Sequence, residues 1–329
     1  MRRFGWRVAL ALLATYVCFG SGNAGIKAAI ETLPPLFVMA VRGVIAGAIL
    51  VAWSLASGAP RPSRRQILGC SAIGTLMLAL GAGVSSVGQR SVASGIAGVL
   101  AAIMPLFAAC LGYLMFRERF SKRTIFGLVL GFAGVGFLVR PGSSLDVLGV
   151  SLVMAGQFFW ALGAVLAPKL GLPEDPRLAA GTELLGGSLV LLVAAAVLGE
   201  VTGVRLASVS WISWAGFGWL GFTAVVGFTA YGFLVKTVAT SISSTFSYLN
   251  PILAMGLGWL LFGEPVTVWT LVATAVVVAG VCLIVSAPSP SRRSHHPLTS
   301  GHGHAIWLGE ARPDARSAAT PAAEGRPAS

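Results

Sequence analysis

Ten long apolar stretches dominate the first 286 residues of this 329-residue chain. Apolar residues make up 56% of the sequence and charged residues only 10%, well below the roughly 25% typical of soluble domains. A helix needs about 20 apolar residues to cross a hydrocarbon core about 30 Å thick. We therefore predict an all-α polytopic membrane protein with ten transmembrane helices, at about residues 8–28, 35–55, 66–87, 93–115, 124–139, 147–166, 178–198, 210–235, 240–261 and 266–286.

An internal repeat relates the two halves of this pattern. Residues 90–139 align with residues 236–285 at a constant offset of 146, and 15 of the 50 positions are identical. The offset holds five helices, an odd number, so the second copy is expected to lie inverted in the membrane, as in many secondary transporters. We predict a first five-helix repeat at 1–141, an inverted second repeat at 142–286 and a disordered cytoplasmic tail at 287–329.

The basic residues predict the orientation. With the N-terminus in the cytoplasm, thirteen of the eighteen Lys and Arg residues that precede the tail lie in cytoplasmic loops, as the positive-inside rule requires. The net charge of +12 is scattered over loops and is not gathered on one folded face. It therefore indicates insertion topology and no nucleic-acid surface. With ten spans, both termini are cytoplasmic.

Motifs for cofactor chemistry are weak. Gly20, Gly22 and Gly25 spell GxGxxG, but a dinucleotide-binding turn needs a preceding strand and an acid about 20 residues later, and neither is predicted. We predict no cofactor and no bound metal. In the tail, His295, His296, His302 and His304 leave two interpretations open, a transition-metal site or a simple polar segment. The glycines of the first span, and two GxxxG pairs, favour close helix packing instead: Gly43 with Gly47 and Gly127 with Gly131.

Two charged residues fall inside predicted spans. Arg42 lies about seven residues into the second span, and Glu183 about five residues into the seventh. A central charge costs roughly 2.5–3.5 kcal/mol on insertion scales, so retained charges usually face a cavity or a partner. Two interpretations remain open for each: an anchor that reaches its own interface, or a gating or coupling group. In the second, Arg42 serves an outer gate or a substrate carboxylate, and Glu183 carries a proton.

Pro105 and Pro251 occupy equivalent places in the fourth and ninth spans, and both are predicted helix breaks because proline frees the carbonyl four residues earlier. Broken backbone is tolerated at this depth beside a cavity. Ser247, Tyr248 and Asn250 adjoin the second break, whereas the matching places in the fourth span are apolar. We expect a substrate cavity with one polar wall, completed by aromatic and amide side chains of other spans: Phe19, Asn23, Gln157, Trp160 and Tyr231.

Three segments carry a family resemblance. The run FGSGNAGIKAAIETLPPLFVMAVRGVIAG, the run QRSVASGIAGVLAAIMPLFAACLG with the following Glu118, and the run TSISSTFSYLNPILAMGLGWLLFGE resemble the paired domains of EamA-type transporters in the drug/metabolite transporter superfamily. The resemblance implies ten helices in a bacterial inner membrane, with helices 1, 3, 4, 6, 8 and 9 around a central cavity. It also implies small metabolites, amino acids or toxic compounds as solutes, often moved outward. Phe19 departs from the family, in which Trp is frequent at this position.

These observations predict a secondary transporter, an exporter that moves a small neutral or zwitterionic metabolite, amino acid or drug-like solute by alternating access. A multiply anionic solute would need several midplane cations, and only Arg42 lies inside a span. A passive channel or facilitator remains an alternative. An intramembrane enzyme has less support because no His lies in any predicted span. The expected partners are the solute, the lipid bilayer and a coupling proton or counter-solute, with the protein a monomer or a homodimer.

Overall fold

The structure, a computed structural model, describes residues 5–117, 120–139, 145–238 and 245–286. Within these ranges the chain is all-helical and contains no strand. The predicted tail, 287–329, and Glu118 lie outside the described residues. The principal helices are α1 (Trp6–Gly20 and Gly22–Ala29), α2 (Pro35–Ala56), α3 (Arg64–Gly88), α4 (Ser94–Phe116), α5 (Lys122–Leu138), α6 (Val147–Lys169), α7 (Pro176–Val197), α8 (Trp211–Thr237), α9 (Phe246–Phe262) and α10 (Val268–Val285).

The lengths of these helices fit a membrane protein. Among the described residues, seven helices are long and apolar enough to span a bilayer, and α1 makes eight if its two parts, bent by 41°, count as one span. α5 and α9 have 17 residues each. At 1.5 Å per residue that is about 26 Å, slightly less than a bilayer core of about 30 Å. The chain is therefore an all-α membrane protein with seven to eight clear spans.

The helices pack in pairs around two large apolar cores and two smaller clusters. Extensive contacts join α3 with α6, α2 with α7, α1 with α8, α3 with α7, α5 with α10, and α4 with α9. One core lies among α1, α2, α3, α7 and α8, and includes the fully buried Met39 and Leu50. The other lies among α4, α5, α6, α9 and α10, and includes the fully buried Leu106 and Val277.

Glycines allow the closest of these contacts. A Cβ on Gly47 of α2 would lie 2.8 Å from the carbonyl oxygen of Gly181 in α7. A Cβ on Gly127 of α5 would lie 2.8 Å from the carbonyl oxygen of Gly280 in α10. No real Cβ makes such contacts, so these backbones approach as they do only because both partners lack a side chain. The packing predicted for the two GxxxG pairs is present.

The ends of α4 and α9, and the caps of the helices that follow them, share one geometry. Arg117 and Gly263, which are 146 residues apart, both end their helices in the left-handed conformation, with φ of 54° and 63°. Ser121 then caps α5 by accepting a hydrogen bond from Thr124 N–H at 3.1 Å, and Thr267 caps α10 by accepting one from Thr270 N–H at 3.1 Å. The spacing of the sequence repeat therefore recurs in backbone conformation and in capping.

Besides α1, which bends at Ser21, α4 and α3 also depart from regular α-helical hydrogen bonding. Residues Ala102 and Ile103 break α4 immediately before Pro105, as the sequence predicts. Pro251, in contrast, lies inside a continuous α9, which differs from our expectation. It is the sixth residue of that helix, so its missing N–H removes one bond, to the carbonyl of Ser247, and the later turns keep theirs. In α3, residues Thr75–Gly83 form a π-helix that the sequence did not predict.

Candidate functional site

Four aromatic rings meet where α1, α8 and α9 converge. Phe19 of α1 lies 5.2 Å from Phe246 of α9 and 5.9 Å from both Phe228 and Tyr231 of α8, measured between ring centroids. Tyr231 and Phe246 are 5.4 Å apart. All these pairs are tilted or edge-to-face, the arrangement that aromatic quadrupoles favour. We call Phe19, Phe228, Tyr231 and Phe246 the aromatic cluster.

The bend in α1 lies directly beside this cluster. Ser21 separates the two parts of α1, and its Oγ accepts a hydrogen bond of 2.8 Å from the indole N–H of Trp219 in α8. On the other side of Phe19, the Tyr16 hydroxyl lies 2.6 Å from Thr245 Oγ1, at the start of α9. The bent helix is therefore tied to α8 and α9 immediately before and after the cluster.

Two amide side chains adjoin the cluster. Asn23 is half-buried, and its Nδ2 would lie 3.6 Å from a Cβ on Gly98 of α4. Asn250 lies one turn after Phe246 on the same face of α9, because residues i and i+4 share a face. The Asn250 Oδ1 is buried and has no hydrogen-bond partner among the described residues. A buried amide oxygen without a donor costs free energy, so a bound solute that donates a hydrogen bond would be stabilised there.

A cavity of about 1100 Å³ extends from the bend of α1 to the end of that helix. Its walls come from α1, from the start of α8 and from the end of α9. Aromatic and aliphatic side chains provide most of this lining, and charged groups lie toward one end. The lining residues that matter below are Ser21, Lys27, Arg90, Ala215, Leu257 and Leu261.

Charged side chains gather at the end of the bundle where this cavity opens. Lys27 Nζ donates to the carbonyl oxygens of Gln89 and Val92 at 2.9 and 3.3 Å. Glu200 accepts hydrogen bonds from the first N–H groups of α2 and lies 3.6 Å from the Arg90 guanidinium. Glu264 accepts from the first N–H groups of α4. We call this end of the bundle, marked by Lys27, Arg90, Glu200 and Glu264, the Lys27 face.

The other predicted cavity residues lie on α6 and α9. Tyr248 packs into the α4, α5 and α10 core, with its hydroxyl in hydrogen-bonding reach of Ser286, so it points away from the aromatic cluster. Trp160 packs against the core of α2 and α7 and would touch a Cβ on Gly81 of α3. Gln157 is half-buried one turn earlier on α6, and Ser247 is half-buried at the start of α9.

The two intramembrane charges do not pair with each other. Arg42 Nε donates to the sulfur of Met39, one turn earlier in α2, at 3.1 Å. Glu183 is 7% exposed and lies near Cys70 of α3, and its Oε1 has no hydrogen-bond partner among the described residues. An ionised carboxylate without a partner is costly to bury, whereas its protonated form is much less so.

At the opposite end of the bundle, Asp175 holds the start of α7. Its carboxylate accepts from the backbone N–H groups of Arg177 and Leu178 at 2.9 and 3.1 Å, and forms an ion pair of 2.9 Å with the Arg177 guanidinium. Burial alone would raise the pKa of Asp175, but the hydrogen bonds outweigh it and lower the pKa to about 2. This group therefore stays ionised across the physiological range.

Phe228 and Phe246 were missed by the sequence analysis. Their spacing could have revealed them, because Phe228 precedes Tyr231 by three residues and Phe246 precedes Asn250 by four. Residues so spaced on a helix lie on one face. The missing information was which of many apolar faces points inward, since lipid-facing and core-facing positions of a span are equally apolar.

Aromatic rings meet here where a bent helix contacts two others, beside an amide oxygen that has no hydrogen-bond donor among the described residues. An all-helical membrane protein with such a site has the form of a solute carrier. The chain belongs to the EamA-like transporter family, whose model matches residues 6–140 and again residues 147–286. It is a membrane transporter.

Several relatives agree with this assignment. The chain is 33% identical over 276 residues to the uncharacterized inner membrane transporter YedA of Escherichia coli K12, covering 83% of this chain and 89% of the relative. It is 25% identical over 289 residues to the uncharacterized transporter YvbV of Bacillus subtilis, covering 84% and 91%. A solved structure described as "Crystal structure of protein" is similar in fold, with a TM-score of 0.57, 17% identity and coverage of 84% of this chain and 95% of that chain.

Proposed function

We propose that this chain is a secondary transporter that exports a small neutral or zwitterionic, partly apolar solute by alternating access. The observation that carries the proposal is the aromatic cluster beside the unpaired Asn250 Oδ1. The aromatic rings can pack against an apolar part of the solute, and Asn250 Oδ1 can accept one hydrogen bond from it. Arg42 is bonded to Met39. The two cations that line the cavity are also engaged, Lys27 with backbone carbonyls and Arg90 with Glu200, so the described residues offer no free set of cations for a phosphorylated solute.

We further propose ten spans in two inverted repeats, residues 1–141 and 142–286, in an inner membrane with both termini cytoplasmic. Three observations support the repeats: the family model matches twice, the loops after α4 and α9 have the same caps, and the helix pairs map onto each other. A shift of five helices exchanges the pair α1 and α8 with the pair α6 and α3, and leaves the pairs α2 with α7, α4 with α9, and α5 with α10 unchanged. It maps the pair α3 and α7 onto α8 and α2, which are also in contact.

Coupling is assigned to Glu183. It is a buried carboxyl with an unpaired oxygen, at the contact between α3 and α7. Since protonation removes most of the cost of burying it, gain and loss of a proton can drive a change in the packing of these helices. Arg42 is proposed as a gating residue from its place in α2.

A thermal-shift screen tests the solute class. A solute that binds only the folded protein must stabilise it. We expect stabilisation by neutral or zwitterionic amino acids, small metabolites or drug-like compounds, lost in Phe19→Ala and Asn250→Ala. Stabilisation by sugar phosphates alone would contradict the proposal. Reporter domains fused after Arg90 and after Lys236 test the inverted repeats, because the two are expected on opposite sides of the membrane.

A further inference from the structure

Glu264 joins the two halves of the chain at the Lys27 face. Its carboxylate accepts hydrogen bonds from Ser94 N–H at 2.6 Å, from Gly95 N–H at 2.9 Å and from the Ser94 hydroxyl at 3.0 Å. Ser94 is fully buried. Glu264 follows α9, whereas Ser94 and Gly95 begin α4, 170 and 169 residues earlier. Three hydrogen bonds to one carboxylate at the positive end of a helix are strong for a single side chain.

The sequence leaves room for this contact at one position. A Cβ on Gly258 would overlap Glu264 Oε2 and would lie 2.9 Å from Ser94 Oγ. Two residues earlier on the same helix, a Cβ on Gly256 would meet nothing within 4 Å. Glycine at position 258 is therefore required for the Glu264 carboxylate to reach α4. Gly256 is a matched position on the same helix where a side chain would not disturb this contact.

Lys27 adds charge to the same place. Its ammonium interacts electrostatically with Glu264 and bonds to the carbonyls of the turn that leads into α4. Lys27 and Glu264 thus hold three segments together: the end of α1, the turn before α4 and the end of α9. Glu200 makes a similar cap on α2, through Leu36 and Phe37 N–H at 2.9 and 3.1 Å, but it does not touch α4 or α9 in any described hydrogen bond.

The same helix α9 forms a wall of the cavity. Leu257 and Leu261 line the cavity opposite α8, while Met255 and Gly258 face α4. The distance of α9 from α4 therefore sets the width of the cavity at the Lys27 face. If α9 leaves α4, the space between α9 and α8 can receive it.

We propose that Glu264 is a latch that fixes α9 to α4 and so keeps the cavity open at the Lys27 face, and that its release from Ser94 and Gly95 allows this face to close. The inference rests on the proposed alternating access, in which the two halves must exchange contacts at each face. Glu264 acts here as a positioning residue and does not touch the solute.

A disulfide tests the latch without any solute. A Cβ on Gly95 would lie 3.6 Å from Met255 Cβ, within the range that disulfides require. Gly95→Cys with Met255→Cys, after the four native cysteines are changed to Ala, should cross-link readily under mild oxidation. The cross-linking rate should fall about tenfold with Glu264→Gln or Gly258→Ala, the loss expected for one charge-assisted hydrogen bond. Glu200→Gln and Gly256→Ala are the matched controls and should leave it unchanged.

A second readout follows the cavity itself. In the same cysteine-free background without the cross-linking pair, Ala215→Cys places a thiol on the α8 wall. Its labelling by a membrane-impermeant maleimide should slow with Glu264→Gln and stay unchanged with Glu200→Gln. Thermal unfolding of every variant checks that it is folded.

The outcomes separate the latch from the transport function. Equal cross-linking rates for Glu264→Gln, Gly258→Ala and their controls would overturn the latch. Slower cross-linking with unchanged labelling would overturn its role in holding the cavity open. If both readouts respond and no solute binds the wild-type protein, the latch stands and the proposed function fails. If a solute is transported and neither readout responds, the function stands and the latch fails.

Discussion

The contact between α2 and α7 allows a sharp prediction about stability. A Cβ on Gly47 would lie 2.8 Å from the Gly181 carbonyl oxygen, 2.9 Å from Leu185 Cγ and 3.1 Å from Leu185 N. Two of these atoms are backbone, so the helices must separate to admit a methyl group. Overpacking of this kind typically costs about 1–3 kcal/mol. We expect Gly47→Ala to lower the free energy of unfolding by that amount.

Gly218 of α8 provides the control, because a Cβ there meets nothing within 4 Å. Alanine is the better helix former by about 1 kcal/mol, so Gly218→Ala should be neutral or stabilising. The free energies of unfolding are measured by SDS titration of each variant in detergent micelles, with helicity as the signal. Gly47→Ala should lower the free energy of unfolding, and Gly218→Ala should not. A Gly47→Ala protein as stable as Gly218→Ala would refute the close approach of α2 and α7.

Three further predictions concern single side chains. Asp175→Ala removes a helix cap and an ion pair with Arg177 and should lower stability by about 1 kcal/mol at pH 7. The pKa of Asp175 is lowered from 3.8 to about 2. The stability that Asp175 contributes is therefore present above pH 3.8 and is lost as the pH falls through 2. The free energies of unfolding of Asp175→Ala and wild type should accordingly differ at pH 7 and converge at pH 2. Glu183→Gln should abolish the dependence of transport on a proton gradient in proteoliposomes, and unchanged dependence would exclude the coupling role. Asn250→Ala should weaken solute binding about tenfold by isothermal titration, whereas Tyr248→Phe should not, because Tyr248 faces α10.

Most helix positions were predictable because hydrophobic length and turn residues are local properties. α6 begins at Val147 as predicted, after the capping residue Asp146, which accepts from Leu148 and Gly149 N–H at 3.1 Å. The membrane class and the family followed from composition and from the repeated motifs. α5 and α9 are less clear as spans, because each is described over 17 residues and residues 239–244, before α9, lie outside the described part of the chain.

The site was predictable only in part, because the direction of a side chain depends on tertiary packing. Phe19 and Tyr231 meet as partners in the aromatic cluster, but Tyr248 turns toward α10 although it lies beside Asn250 in sequence. Polarity alone could not show that Tyr248 and Asn250 point in different directions, since both are polar residues near Pro251. The sequence also could not show that α9 continues through Pro251, because this depends on how close to the start of the helix the proline lies.

The π-helix of α3 has a consequence for how the two halves can diverge. At the same offset of 146, Thr75–Gly83 corresponds to residues 221–229 of α8, which are α-helical. A π-helix accommodates an extra residue relative to an α-helix, so loss of one residue between Thr75 and Gly83 can be absorbed by a return to α-helical bonding. The same deletion in α8 would rotate everything beyond it by about 100° and turn Tyr231 away from Phe19. Insertions and deletions should therefore accumulate in α3 among relatives, while α8 keeps its length.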